Sequence, residues 1–231
     1  MDTDNFEKYN KDFSRALNIY ENDYSHTDLI EFLQSGSVAE KQAAALKLDG
    51  LHNKSDAEIF MSNLTGCDGK VREAVSFRLN EFVKINPEYF TDFADIFLDA
   101  IIDINGNICR NTISALKYIK NFPEFTTCFC TKLTQNTLEL VKKAANFDIQ
   151  DGKYKINKEI FKLYWYLETI YEFLEFINSE VIENILFSAK NIQDYTIREK
   201  VAKILSKFEN DNLIMIKEEL KQDENYYVRR L

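Results

Sequence analysis

The chain has 231 residues, enough for one substantial core. With only 2 Pro and 6 Gly among many good helix formers, it sets an all-helical fold ahead of a strand-based one. A net charge of -9 disfavours a protein built mainly to grip a phosphate backbone, and the four cysteines lack the density or pairing of a disulfide framework or zinc site. The acidic start MDTDNFEKYN is unlike a secretory signal and no apolar run reaches membrane-spanning length, so the chain reads as cytoplasmic with buried thiols.

From Phe6 to Tyr20 the apolar residues Phe6, Tyr9, Phe13, Leu17 and Tyr20 recur at three- and four-residue steps. This predicts an amphipathic helix that caps a repeat array, with a polar outer side, over residues 1–24. A recurring tetrapeptide follows. Ser35-Gly36-Ser37-Val38, Asp68-Gly69-Lys70-Val71 and Asn105-Gly106-Asn107-Ile108 each join a capping residue, Gly, a polar residue and a β-branched one. Eight positions beyond each β-branched residue stands Leu46, Leu79 or Leu116. Asp194-Tyr195-Thr196-Ile197 and Asn225-Tyr226-Tyr227-Val228 begin the pattern again.

The landmarks Val38, Val71, Ile108, Ile197 and Val228 are 33, 37, 89 and 31 residues apart, so the long gap predicts one lengthened repeat near 122–177. Each landmark helix has a partner before it: Asp28 to Leu33, Asp56 to Leu64, Pro87 to Ile102, Glu180 to Ala189 and Asn212 to Leu220. The lengthened repeat has helices from about Pro123 to Ala145 and Asn157 to Phe176, joined by the polar insertion Asn146 to Lys155. Its second helix carries Trp165 between Tyr164 and Tyr166 and is apolar nearly all round, which marks a central helix. The final helix, from Val228, runs about one turn.

At Val71-Arg72-Glu73-Ala74-Val75 and Ile197-Arg198-Glu199-Lys200-Val201, each with an Asp four before the Arg, the sequence resembles HEAT-repeat (armadillo-like) proteins of the short bacterial type. The resemblance covers most of residues 25–231. It implies an all-α, right-handed α-solenoid of about five hairpins in one domain, 1–231, with second helices lining a concave surface. It also implies a ladder of Asp and Arg between second helices, involving Asp68, Arg72, Asp194, Arg198 and Arg229. The first repeat departs from it with Ala39 where Arg is expected, and the third with Cys109.

Catalytic patterns are sparse. His26 and His52 have no metal-ligand partner at helical spacing and read as surface or turn residues; Asp92, Asp95, Asp99 and Asp103 read as a solvated helix face. No Gly-rich phosphate loop or nucleophile elbow is present in the sequence. Charge is uneven, with 10 basic and 20 acidic residues over 1–109 but 10 and 5 over 110–165. The leading expectation is therefore a non-enzymatic scaffold for protein binding, with no cofactor or metal. Its candidate contact residues are Arg72, Arg110, Lys117, Lys120, Trp165 and Arg198. The alternatives are an acidic inhibitor or immunity protein for a basic toxin or nuclease and, more remotely, a HEAT-like alkyl-base DNA glycosylase. The latter is suggested by Trp165 beside Lys153, Lys155, Lys158 and Lys162.

Overall fold

The computed structural model describes residues 3–145, 158–208 and 211–230. The insertion Asn146 to Lys155, including Lys153 and Lys155, lies outside the described residues, as do the side chains of Phe6 and Tyr9. Among the described residues all regular structure is helical, and no helix is long and apolar enough to cross a membrane. The chain divides into two compact units, Met1–Phe125 and Thr126–Leu231.

In the first unit the helices are α1 (Thr3–Glu21), α2 (His26–Ser35), α3 (Val38–Lys47), α4 (Lys54–Ser62), α5 (Gly69–Ile85), α6 (Ala94–Ala100) and α7 (Gly106–Ile119). α1, α3, α5 and α7 pack on one another in sequence order, and α2 packs on both α3 and α4. The single helix predicted from Pro87 to Ile102 is instead a 3-10 turn, Pro87–Phe90, followed by α6. Three-residue closures from Tyr89 to Asn86 and from Phe93 to Phe90 tighten the backbone there. Between the layers the rings of Phe60 and Phe82 meet edge to face at 5.1 Å, and those of Phe97 and Phe125 at 5.9 Å.

The second unit holds α8 (Pro123–Ala145, from Thr126 onward), α9 (Lys158–Glu172), α10 (Ser179–Ala189), α11 (Tyr195–Lys207), α12 (Ile214–Lys221) and α13 (Tyr226–Arg229). Here α11 packs between α9 and α13 and also touches α10 and α12. Phe129 of α8 lies 5.1 Å from Phe173, just past α9. Trp165 is 6% exposed and meets Tyr164 edge to face, so its ring belongs to the core of this unit.

The first repeat starts two residues later than its tetrapeptide suggests. Gly36 ends α2 by donating its N–H to Phe32, and a Cβ there would lie 2.5 Å from that carbonyl oxygen. The cap of α3 is Ser37, which forms a reciprocal capping box with Glu40. Counted from the true caps Ser37, Asp68, Asn105 and Asp194, the eleventh following residue is Leu48, Leu79, Leu116 or Leu205, all buried. Val38 is consequently not equivalent to Val71 and is 44% exposed. The residue four beyond the cap is Lys41, not Ala39.

α1 also differs from expectation. Ile19 is buried and Ala16 half-buried, whereas Phe13, Leu17 and Tyr20 face outward. Lys47 fixes this orientation by donating to the carbonyls of Ile19 (2.7 Å), Tyr20 (3.3 Å) and Asn22 at the helix end. The outer side of the cap is thus partly apolar.

This register makes unequal demands on two valines. Val71→Ala should destabilise the chain by about 2 kcal/mol, since a buried valine loses both transfer energy and packing. Val38→Ala should stay within about 0.5 kcal/mol of the parent. Urea denaturation of the two variants measures the difference, and equal losses would contradict the assigned register.

Candidate functional site

Arg72 and Arg198 are engaged inside the repeats. Arg72 donates through Nε to Asp103 (2.7 Å) and through a second nitrogen to the same carboxylate (3.4 Å). A further nitrogen reaches the Cys67 carbonyl. Arg198 repeats the arrangement with Asp223 at 2.6 and 3.1 Å, and donates to the carbonyls of Ile192 and Gln193. Each acceptor also takes an N–H from the residue that caps the next helix, Asn105 or Asn225, at 2.8 Å. Arg229 donates to the carbonyls of Asp223 and Glu224.

The rungs therefore run from one repeat's arginine to the aspartate two places before the next repeat's cap. Asp68 and Asp194, which the resemblance nominated, instead accept N–H groups of Lys70 and Thr196 and cap their own helices. Asp103 is correspondingly part of a half-buried ion pair and not of a solvated face. At the arginine position of the third repeat, Cys109 lies 3.1 Å from the Asp103 carbonyl, and burial pushes its thiol up to about 12. In the first repeat Lys41 donates to Asn63 at 3.0 Å.

The remaining contact candidates sit on α7. Arg110 and Lys117 are exposed on one stripe of that helix, and Lys120 is half-buried at its end. Asn107 donates to Glu73 and Asn111 donates to Ser76, which fixes α5 beside α7. Phe77 is 68% exposed. Composition could not single it out, because its neighbours in sequence fit a buried helix face equally well. The exposed positions of α5 and α7 thus include the rings of Phe77 and Tyr118 and the cations Arg110 and Lys117.

In the second unit, Glu168 of α9 accepts from Lys200 (2.7 Å) and Lys203 (2.8 Å) of α11. Burial would raise the Glu168 pKa, but the two lysine hydrogen bonds outweigh it and the net shift is downward. Lys200 also lies over the Tyr164 ring at 4.2 Å from its centroid, and Lys203 and Lys207 over that of Tyr171 at 4.2 and 4.0 Å. These contacts tie the two helices together through buried and half-buried side chains.

One constellation was not legible from spacing. His26 opens α2 and His52 immediately precedes the cap of α4, so packing of these neighbouring helices brings together the chain's only two histidines. Their rings stack with centroids 3.5 Å apart. Asp56 Oδ2 lies 2.8 Å from His26 Nε2 and accepts the His52 backbone N–H at 2.9 Å. Burial alone would raise the Asp56 pKa; these two bonds reverse that and lower it. Asp49 stands on the other side, 3.9 Å from His26 Nδ1. Both histidines adjoin a capping residue in consecutive repeats, a signal visible in the sequence once the pairing of α2 and α4 is known.

No protein-family model matches the chain, and comparison with curated proteins finds no match.

The ladder carries a pH dependence of definite sign. The hydrogen bond from Arg198 holds the Asp223 carboxyl below the ordinary aspartate range. Its stabilisation is complete above the unfolded value of about 3.9 and is lost as pH falls through the lower folded value. Asp223→Asn should cost about 2 kcal/mol at neutral pH, and the gap from the parent should close in strong acid. Denaturant titrations across that range test this, and a gap independent of pH would contradict it.

Proposed function

We propose that the chain is a non-enzymatic protein-binding module, a HEAT-like right-handed solenoid of about five hairpins whose second helices offer the docking flank. The observation that carries this reading is Phe77, an aromatic ring 68% exposed on α5, which packs against α7 with its exposed Arg110 and Lys117. A ring held out on a rigid helix, beside cations, suits a partner segment that joins an apolar residue to carboxylates. Sequential packing of α1, α3, α5 and α7, and of α9, α11 and α13, supports the repeat reading within each unit.

Arg72 serves this function indirectly, by tying α5 to the loop before α7, whereas Arg198 and Trp165 hold helices of the second unit. The inhibitor reading rests on the net charge of -9 without a defined surface.

Phe77→Ala combined with Arg110→Glu and Lys117→Glu should abolish partner binding, at least about 100-fold, with helical content and stability nearly unchanged. Capture on the full-length chain followed by cross-linking should map the partner to α5 and α7 of the parent protein. Turnover of a small molecule by the purified chain would count against the proposal. A basic partner that ignores the triple variant and is released by salt would favour the inhibitor reading instead.

A further inference from the structure

We propose that His26, Asp49 and His52 form a binding site for a single divalent transition-metal cation such as Zn2+. The three side chains each offer a donor atom, and these atoms lie within 4.8 Å of one another. Two imidazole nitrogens and one carboxylate oxygen make a donor set for borderline cations, with a fourth position left for water or an incoming group. A hard cation such as Mg2+ would favour oxygen donors alone.

The tautomer of His26 is set for this role. An ionised carboxylate only accepts hydrogen bonds, so the proton shared with Asp56 Oδ2 resides on Nε2 of His26. In the neutral ring Nδ1 then carries the lone pair. That atom is buried, has no hydrogen-bond partner, and faces Asp49 at 3.9 Å. A buried acceptor left without a partner is costly, and a cation at this point would satisfy it. Carboxylate, histidine and metal in series is the arrangement by which outer groups orient a metal-binding imidazole.

The ligands need a small closure. Donor atoms around a tetrahedral Zn2+ are roughly 3.3 Å apart, given metal–ligand distances near 2.0 Å. Asp49 and His52 are both exposed and free to supply this movement. Stacked rings direct their lone pairs side by side, so His52 must turn about its side-chain torsions to converge with His26. Its backbone stays anchored, because Asp56 holds the His52 N–H. Metal binding is thus coupled to loss of the histidine stack, and it joins the start of α2 to the loop before α4.

Calorimetric titration of the full-length chain with ZnCl2 tests the site. One equivalent should bind at micromolar or tighter affinity, and His52→Ala and Asp49→Asn should each weaken binding at least about tenfold. Both substitutions are at exposed side chains, and circular dichroism of each variant checks that the fold is retained. Co2+ in place of Zn2+ should give visible ligand-field bands without a thiolate charge-transfer band. Absence of saturable one-to-one binding would overturn the proposal. So would binding that survives both substitutions or carries the thiolate band, since either assigns the metal to cysteine.

Discussion

Every hairpin in the first unit depends on the apolar seam it shares with its neighbours. Val71, Val75, Leu79 and Phe82 of α5 are almost completely buried, while α5 packs on α3 before it and α7 after it. Removing a side chain of this size from water contributes roughly 1.5–3 kcal/mol. No isolated hairpin could bury that face. The arginine rungs do something different: a half-buried ion pair gains little over an apolar pair but penalises any other pairing, because a displaced Arg72 or Asp103 would keep its burial and lose its partner. The seam supplies the stability, and the ladder fixes which loop meets which helix.

The same division explains which side chains stay exposed. A helix that commits one side to the seam leaves the opposite side to solvent, and on α5 and α7 that side carries Phe77, Arg110 and Lys117. The layer of first helices has its own consequence. Stacking α2 on α4 superimposes their N-terminal ends, so residues near equivalent caps in consecutive repeats become neighbours although 26 positions apart. The histidine cluster is a product of repetition, not of a local motif.

Much of the helical layout was legible because apolar spacing and capping residues agree at the same positions. Asp68, Asn105, Asp194 and Asn225 open helices where the tetrapeptides place them, and α8 spans Pro123–Ala145 as expected. The first repeat misled because Ser35-Gly36 resembles a helix start while Gly36 in fact ends α2; local residue types do not distinguish the two when helices are joined by a single tight turn. The ladder was half legible. Its arginines stood out, but of its acceptors Asp103 was hidden among aspartates that looked solvated and Asp223 carried no signal of its own. The shared Asp103-Ile104-Asn105 and Asp223-Glu224-Asn225 pattern is the sequence trace of those acceptors. Exposure of Phe13 and Phe77 could not be read, since an outward ring and an inward one share the same helical spacing.

The most direct measurement of this account is a double-mutant cycle between Arg72 and Asp103, using Arg72→Met and Asp103→Asn and their combination in equilibrium unfolding. Direct contact across the repeat boundary predicts a coupling of about 1–3 kcal/mol, with either single variant nearly as destabilising as the pair. Additivity within about 0.5 kcal/mol would contradict it, because the two residues would then not hold consecutive repeats in register.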